Sequence, residues 1–240
     1  LSAIADRLAE VRSRIAGAAR RSGRSPADVT LVAVSKTFEA DRVREAYAAG
    51  QREFGENKVQ EGLQKSAATA DIPIAWHLIG HVQSNKAKKA AVAFAWIQSV
   101  DSIDLLERLD AAAAERPAAS GTLEVLVQID LAGEATKFGA PPDEAERIVR
   151  AALEARHVRL SGLMLLPPWS ADPEESRPWF ARVRQFRDRL VDEGVPAASL
   201  RHLSMGMSHD YEAAIEEGST IVRVGTAIFG ARPPTHRAPE

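Results

Sequence analysis

The stretch Leu31-Val32-Ala33-Val34-Ser35-Lys36-Thr37 decides how the chain is read, because it joins an apolar strand to a cation. From Thr30 to Ser35 most residues are apolar or β-branched, the pattern of a strand buried on both faces of a parallel sheet. A lysine at the C-terminal end of such a strand is costly unless chemistry requires it. Desolvation there favours the neutral amine, which is a nucleophile toward an aldehyde. The competing reading is a snorkelling lysine that leads the chain out of the sheet, and this segment alone does not separate the two.

On either side of this stretch, short β-type runs alternate with longer helical patterns, the signature of parallel βα units. An amphipathic helix over about 2–22 opens the chain. Strands are expected near 30–35, 51–54, 75–79, 94–99, 123–130, 158–163, 200–203 and 220–225, with helical stretches such as 40–49, 102–114, 143–155 and 174–192 between them. Eight such strands predict an α/β fold, a single (β/α)8 TIM-type barrel, rather than an open sheet. No Pro/Gly/Ser-rich linker divides the chain, so residues 1–240 are read as one domain with about 231–240 as a C-terminal tail. After the final strand only Phe229, Gly230 and this Pro-rich tail remain, so no eighth crossover helix follows, and the opening helix is expected to fill its place.

Composition narrows the function classes. With 240 residues, 45% of them hydrophobic, the chain can bury a full core. Its net charge of −2, with both signs interspersed, provides no broad field for nucleic acid or an anionic membrane, so an anionic ligand has to be held locally. Cysteine is absent, which excludes disulfides, a thiolate nucleophile and Cys-based metal sites. The six histidines show no H-E-x-x-H-like spacing, which counts against a metal-dependent barrel enzyme. No signal peptide or membrane-spanning apolar run is read, and a cytoplasmic protein is expected.

Barrels carry their functional groups where strands end, and polar residues gather there. The first strand delivers Lys36, the second Asn57, and the third His81 followed by Ser84, Asn85 and Lys86. Taken singly, Asn57 and Ser84 also read as helix caps, His81 as a hydrogen-bonded loop residue, and Lys86, Lys88 and Lys89 as a solvated helix face. The seventh strand runs into Ser204-Met205-Gly206-Met207-Ser208, and the eighth ends Arg223-Val224-Gly225-Thr226. The last two loops of barrels often bind phosphate, for which Ser204 and Thr226 offer hydroxyls while Gly206 and Gly225 allow close backbone approach. The alternative is that Ser208 or Asp210 caps a helix and the glycines serve turns. Arg223 shares a strand face with Gly225. It can face a ring nitrogen and keep it unprotonated, or pair with a buried carboxylate. A Schiff-base-forming lysine, a phosphate cradle and an arginine for a ring nitrogen together describe a pyridoxal phosphate site.

The chain resembles the pyridoxal phosphate homeostasis proteins, the YggS/PROSC family, over nearly its whole length. The matching pieces are the segments at 33–37, 54–61, 76–86, 162–164, 203–208 and 218–230. The resemblance implies a fold-type III cofactor barrel with Lys36 as the Schiff-base lysine, and with Ser204, Gly225 and Thr226 around the phosphate. It also implies Arg223 near the pyridine nitrogen, Asn57 close to the cofactor, and His81 and Met164 lining the mouth. Lys58 and His209 depart from the family pattern, which often has an aromatic and an acidic residue there; the departures bear on loop contacts.

The expected function is binding of pyridoxal 5'-phosphate and its supply to apo pyridoxal-phosphate enzymes, without efficient turnover. Racemases and decarboxylases of this cofactor class carry an additional β-rich domain, which in racemases contributes a catalytic tyrosine; this sequence shows no such domain. Its two tyrosines, Tyr47 and Tyr211, fall in helical segments. A monomer is expected for the same reason. The alternative is a racemase- or decarboxylase-like enzyme of the same class, with a partner or an internal histidine completing the site.

Overall fold

The computed structural model describes residues 2–133 and 138–231. Its strands are β1 (Thr30–Val34), β2 (Glu53–Glu56), β3 (Ala75–Leu78), β4 (Trp96–Val100), β5 (Leu123–Ile129), β6 (Val158–Leu165), β7 (His202–Met207) and β8 (Ile221–Val224). They pair in parallel in sequence order, and β8 returns to β1 to close the barrel. The helices are α1 (Ala3–Arg21), α2 (Ala40–Ala48), α3 (Val59–Ala68), α4 (Ala87–Ala93), α5 (Ile103–Ala113), α6 (Pro142–Leu153), α7 (Arg177–Asp192), α8 (Tyr211–Glu216) and the short α9 (Thr226–Phe229). This is the expected (β/α)8 architecture. The expected tail lies outside the described residues except for Ala231.

Period-two alternation sorts the strand side chains into two environments. Leu31, Ala33, Phe54, Trp76, Leu78 and Ile97 belong to the main core beneath the helices, whereas Val32, Leu126, Met164 and Ile221 form a separate cluster inside the barrel. By the same alternation Val34, and then Lys36, follow Val32.

The opening helix takes the eighth helical position. Ser2 caps α1 by accepting the N–H of Ala5, and Ile4, Leu8, Val11, Ile15, Ala18 and Ala19 form its buried stripe. α1 packs against α2, α8 and α9. Arg14 and Arg21 pair with Glu212 on α8, Arg21 also reaches Glu216, and the Arg12 guanidinium donates to the carbonyl of Ala49 just past α2.

Several expected boundaries move, β4 to Trp96–Val100 and the end of β6 to Leu165 among them, and three of the shifts have a visible physical reason. β2 starts at Glu53 because the Gln51 backbone N–H donates to the Ala46 carbonyl of α2 at 3.0 Å instead of to the ladder, while its buried side-chain amide donates to the carbonyls of Leu31 and Glu53. The helix expected from 174 is a 3-10 turn at Pro173–Ser176 before α7, whose first turn accommodates Pro178. β7 runs to Met207 instead of stopping at 203, because a bulge with Gly206 at φ +93° absorbs the irregularity within the strand.

Candidate functional site

Lys36 sits half-buried on a strained, tightly braced turn just beyond β1. The Ser35 carbonyl accepts the N–H of Phe38 at 3.0 Å, and Thr37 adopts φ +71°, an unfavourable left-handed conformation for a β-branched residue. Two glutamates and a second lysine hold this geometry. The Thr37 N–H donates to Glu61 Oε1 at 2.6 Å, while the Ser35 hydroxyl donates to Glu56 Oε1 at 2.6 Å. Lys65, on α3 and only 6% exposed, donates to the Ser35 carbonyl at 2.7 Å, to Glu56 Oε1 at 2.7 Å and to Glu61 Oε1 at 2.8 Å. Burial raises the Glu56 carboxyl above its usual range, against the hydrogen bonds from Lys65 and Ser35, and its Oε2 has no hydrogen-bond partner among the described residues. Both neighbours of Lys36 are therefore tied to one buried charged cluster. Sequence reasoning missed Lys65; its only signal was the Glu61–Lys65 i,i+4 spacing, which ordinarily marks a solvated helix face.

The rim beside this turn comes from β8 and β7. Gly225 abuts β1 so closely that a Cβ there would lie 3.2 Å from the Val34 carbonyl oxygen. Ser208 reaches over from the end of β7, and its Oγ accepts the N–H groups of Gly225 at 3.1 Å and Ala227 at 3.5 Å, which leaves its own proton to donate. The exposed Thr226 adds a second hydroxyl at the same rim. Such a set of donors suits an anion. Ser208 does not cap α8, and the Asp210 carboxylate instead accepts the N–H of Met207 at 2.7 Å.

The two β7 residues expected in this cradle lie elsewhere, because β7 is longer than the sequence suggested. Ser204 is fully buried inside the barrel, opposite Ile221, where its hydroxyl donates to Gln98 Oε1 at 2.6 Å and accepts from Arg223 Nη1 at 2.6 Å. Gly206 makes its close approach to α8, not to the rim: a Cβ there would stand 2.6 Å from Ala214 Cβ and 2.8 Å from Tyr211 Cα. The hydroxyl beside Gly225 is that of Ser208.

Arg223 points inward with 3% exposure, donating to Ser204 and, through Nη2, to the Leu165 carbonyl at 2.9 Å. Both acceptors are neutral, so the buried carboxylate pair considered from the sequence is not what holds it. Burial pulls the guanidinium down to about 10, against the charge of Asp210, and it remains a cation at neutral pH.

The rest of the mouth comes from β2 to β5. Asn57, half-buried after β2, does not cap α3, whose N-cap is Lys58; its backbone presses on Gly80, where a Cβ would lie 2.2 Å from the Asn57 carbonyl oxygen. His81 Nδ1 lies 3.2 Å from Asp101 Oδ2, and its ring stacks on the exposed Phe138 at 3.8 Å. Burial raises the Asp101 carboxyl, with His81 acting the other way. Met164 is fully buried in the interior apolar cluster with Val32, Leu126 and Ile221. Ser84 donates to Asp104 instead of capping, and Lys88 pairs with Glu115 on the surface. Tyr47 and Tyr211 belong to the helical layer outside the barrel.

The chain is similar over nearly its whole length to known proteins. Residues 4–233 match the family described as the alanine racemase, N-terminal domain. The pyridoxal phosphate homeostasis protein of Pseudomonas aeruginosa is 46% identical, with 97% of each chain covered. That of Escherichia coli K12 is 43% identical over 95% of this chain and 97% of its own. PipY of Synechococcus elongatus, solved with pyridoxal phosphate bound, superposes with a TM-score of 0.82 at 41% identity, covering 95% of this chain and all of PipY. An alanine racemase of Clostridium difficile shares the fold, with a TM-score of 0.66 at 18% identity over 96% of this chain and 58% of its own. No described helix is long and apolar enough to cross a membrane. The chain belongs to the alanine racemase N-terminal domain family and, within it, to the pyridoxal phosphate homeostasis proteins.

Proposed function

We propose that the protein binds pyridoxal 5'-phosphate reversibly and hands it to apo-enzymes, without efficient turnover of its own. The carrying observation is the convergence, across the β8–β1 seam, of the braced Lys36 turn, the Ser208/Gly225/Thr226 rim and the buried Arg223 cation. These residues fit the group: Lys36 would take its aldehyde with loss of water, the rim its phosphate, and Arg223 its ring nitrogen. Bound there, the cofactor supplies an electrophilic carbon conjugated to a pyridine ring. The residues on either side of Lys36 are held by the Glu56/Glu61/Lys65 cluster, and Asn57 and His81 complete the wall of the mouth.

Two observations support a carrier over an enzyme. Neither tyrosine lies inside the barrel, so no tyrosine among the described residues stands as a second acid/base opposite Lys36. Arg223 is a cation with neutral acceptors, and a permanent donor facing the ring nitrogen disfavours the protonated ring that makes a strong electron sink. The relatives carry names of homeostasis proteins, which agrees. Borohydride reduction should fix the cofactor to a peptide containing Lys36, and Lys36→Ala should lose the visible band. Holo-protein should reconstitute an apo pyridoxal-phosphate enzyme and leave L- and D-amino acids unchanged by chiral chromatography. Turnover of any of them at roughly 1 s⁻¹ or more, lost in Lys36→Ala, would assign a racemase- or decarboxylase-like enzyme instead. A cytoplasmic monomer is part of the same proposal, checked by fractionation and light scattering.

A further inference from the structure

The barrel interior contains an unbroken chain of hydrogen bonds that the cofactor reading leaves without a task. Glu53 Oε2 lies 2.8 Å from His77 Nε2, and His77 Nδ1 lies 2.8 Å from Gln98 Nε2. Gln98 Oε1 then accepts from Ser204 at 2.6 Å, and Ser204 accepts from Arg223 Nη1 at 2.6 Å. The chain begins at Glu53, the first residue of β2 on the N-terminal face, and ends on β8. His77, Gln98 and Ser204 are at most 1% exposed, so water does not compete for the bonds among them, and only the Glu53 end of the chain reaches solvent.

The two ends force the direction of every bond between them. A guanidinium only donates and a carboxylate only accepts. Arg223 must therefore give a proton to Ser204, and Glu53 must receive one from His77 Nε2. A one-proton imidazole with its hydrogen on Nε2 presents Nδ1 as an acceptor, so Gln98 must offer its NH2 there and its oxygen to Ser204. Ser204, already accepting from Arg223, donates to that oxygen. Each group is satisfied in one arrangement, with a cation at one end and an anion at the other. Parallel stacking of His77 on Trp96 at 5.4 Å and 8° fixes the ring plane. Chains ordered in this way in a dry interior strengthen one another.

We propose that Glu53, His77, Gln98 and Ser204 are positioning residues: a one-way relay that fixes the orientation in which Arg223 is offered to the cofactor ring and couples that orientation to the opposite face of the barrel. The proposal rests on the reading of Arg223 as the ring-facing cation. The Leu165 carbonyl anchors one nitrogen of the guanidinium, and the relay anchors the other. Without it the guanidinium keeps its charge and loses its fixed plane.

The test has an arm without cofactor and an arm with it. In the apo-protein, ¹⁵N NMR should find the His77 proton on Nε2. Gln98→Met, close in shape but unable to bond, should move the His77 Nδ1 resonance and speed exchange of the Arg223 guanidinium protons by about ten-fold. In the holo-protein the same substitution should shift the visible absorption band and weaken binding of pyridoxal phosphate by about 3- to 10-fold. Because Gln98 is buried, a second pair is taken from the half-exposed end: Glu53→Leu should reproduce the spectral shift, and Glu53→Gln, which keeps an acceptor, should restore the native band. Arg223→Leu serves as the control. If it alters the band while Gln98→Met and Glu53→Leu do not, the relay is overturned and the cofactor reading stands. If it leaves band and affinity unchanged, the reading of Arg223 falls and the cofactor half of the proposal with it. Unchanged Arg223 proton exchange in apo Gln98→Met overturns the relay whatever the cofactor does.

Discussion

Replacing Lys65 by Met tests whether the cluster beneath the Lys36 turn is held by charge. The substitution keeps most of the length of the side chain and removes the Lys65 cation bonded to Glu56, which is fully buried. Removing one partner of a buried ion pair typically costs about 3–5 kcal/mol. The structure sets a second, independent figure. Glu56 can escape an unpaired charge by taking a proton, since its Oε2 is unpartnered and burial already raises its carboxyl. Holding it protonated at pH 7, against an ordinary value of 4.5, costs at most about 3.4 kcal/mol at 1.36 kcal/mol per pH unit, and less relative to the native protein, whose Glu56 is already raised. With protonation as the escape, the lower end of the first range applies, and urea unfolding at pH 7 should show a loss of about 3 kcal/mol. The sign of the pH dependence is also determined. A carboxyl whose folded pKa is raised binds its proton more tightly in the folded state, so its stabilising contribution is present at low pH and disappears as pH rises. The deficit of Lys65→Met relative to the native protein should therefore grow from pH 5 to pH 7, by up to about 1.4 kcal/mol per pH unit. Adding Glu56→Gln should recover part of the loss and flatten this dependence. A deficit below about 1 kcal/mol that does not change with pH would refute the reasoning.

Two further outcomes concern the rim and β7. Ser208→Ala and Thr226→Ala should each weaken pyridoxal phosphate binding by about ten-fold or more in absorbance titrations, the loss of one charge-assisted hydrogen bond, while thermal unfolding of the apo-proteins changes little. Equal affinity in both variants would remove the phosphate from this rim. Gly206→Ala should destabilise the apo-protein by about 2 kcal/mol or more in a urea titration, because the new methyl meets Ala214 and Tyr211 in a left-handed backbone conformation; a loss under about 0.5 kcal/mol would show that α8 yields easily.

The barrel was legible because β-branched, apolar strands buried on both faces stand out against amphipathic helices, as at Thr30–Val34 beside Ala40–Ala48. The bulge in β7 was not legible. Ser-Met-Gly-Met reads as a loop, since glycine ordinarily punctuates a strand, and that misplaced Ser204 and Gly206 while hiding Ser208. Inward-facing polar residues were hidden for a different reason. Glu53, His77 and Gln98 alternate with apolar neighbours as they would on a solvated sheet face, and only closure of the barrel turns that face into an interior. Lys65 looked like any lysine on a helix surface; its burial follows from where α3 lands on β1 and β2, which no local pattern encodes.

The pairing of β8 with β1 also gives the fold a seam between its earliest and latest strands. Roughly 190 residues separate them, so at 5–20 residues per second β1 waits about 10–40 s on the ribosome for its second neighbour. During that interval the buried stripe of α1 lacks α8 and α9, and β1 lacks Arg223 beside Val32. The nascent chain is thus blind to its ligand until the last strand emerges. A molecule gripping both margins of the seam then acts as a clasp, favouring the closed ring over every opened form by mass action.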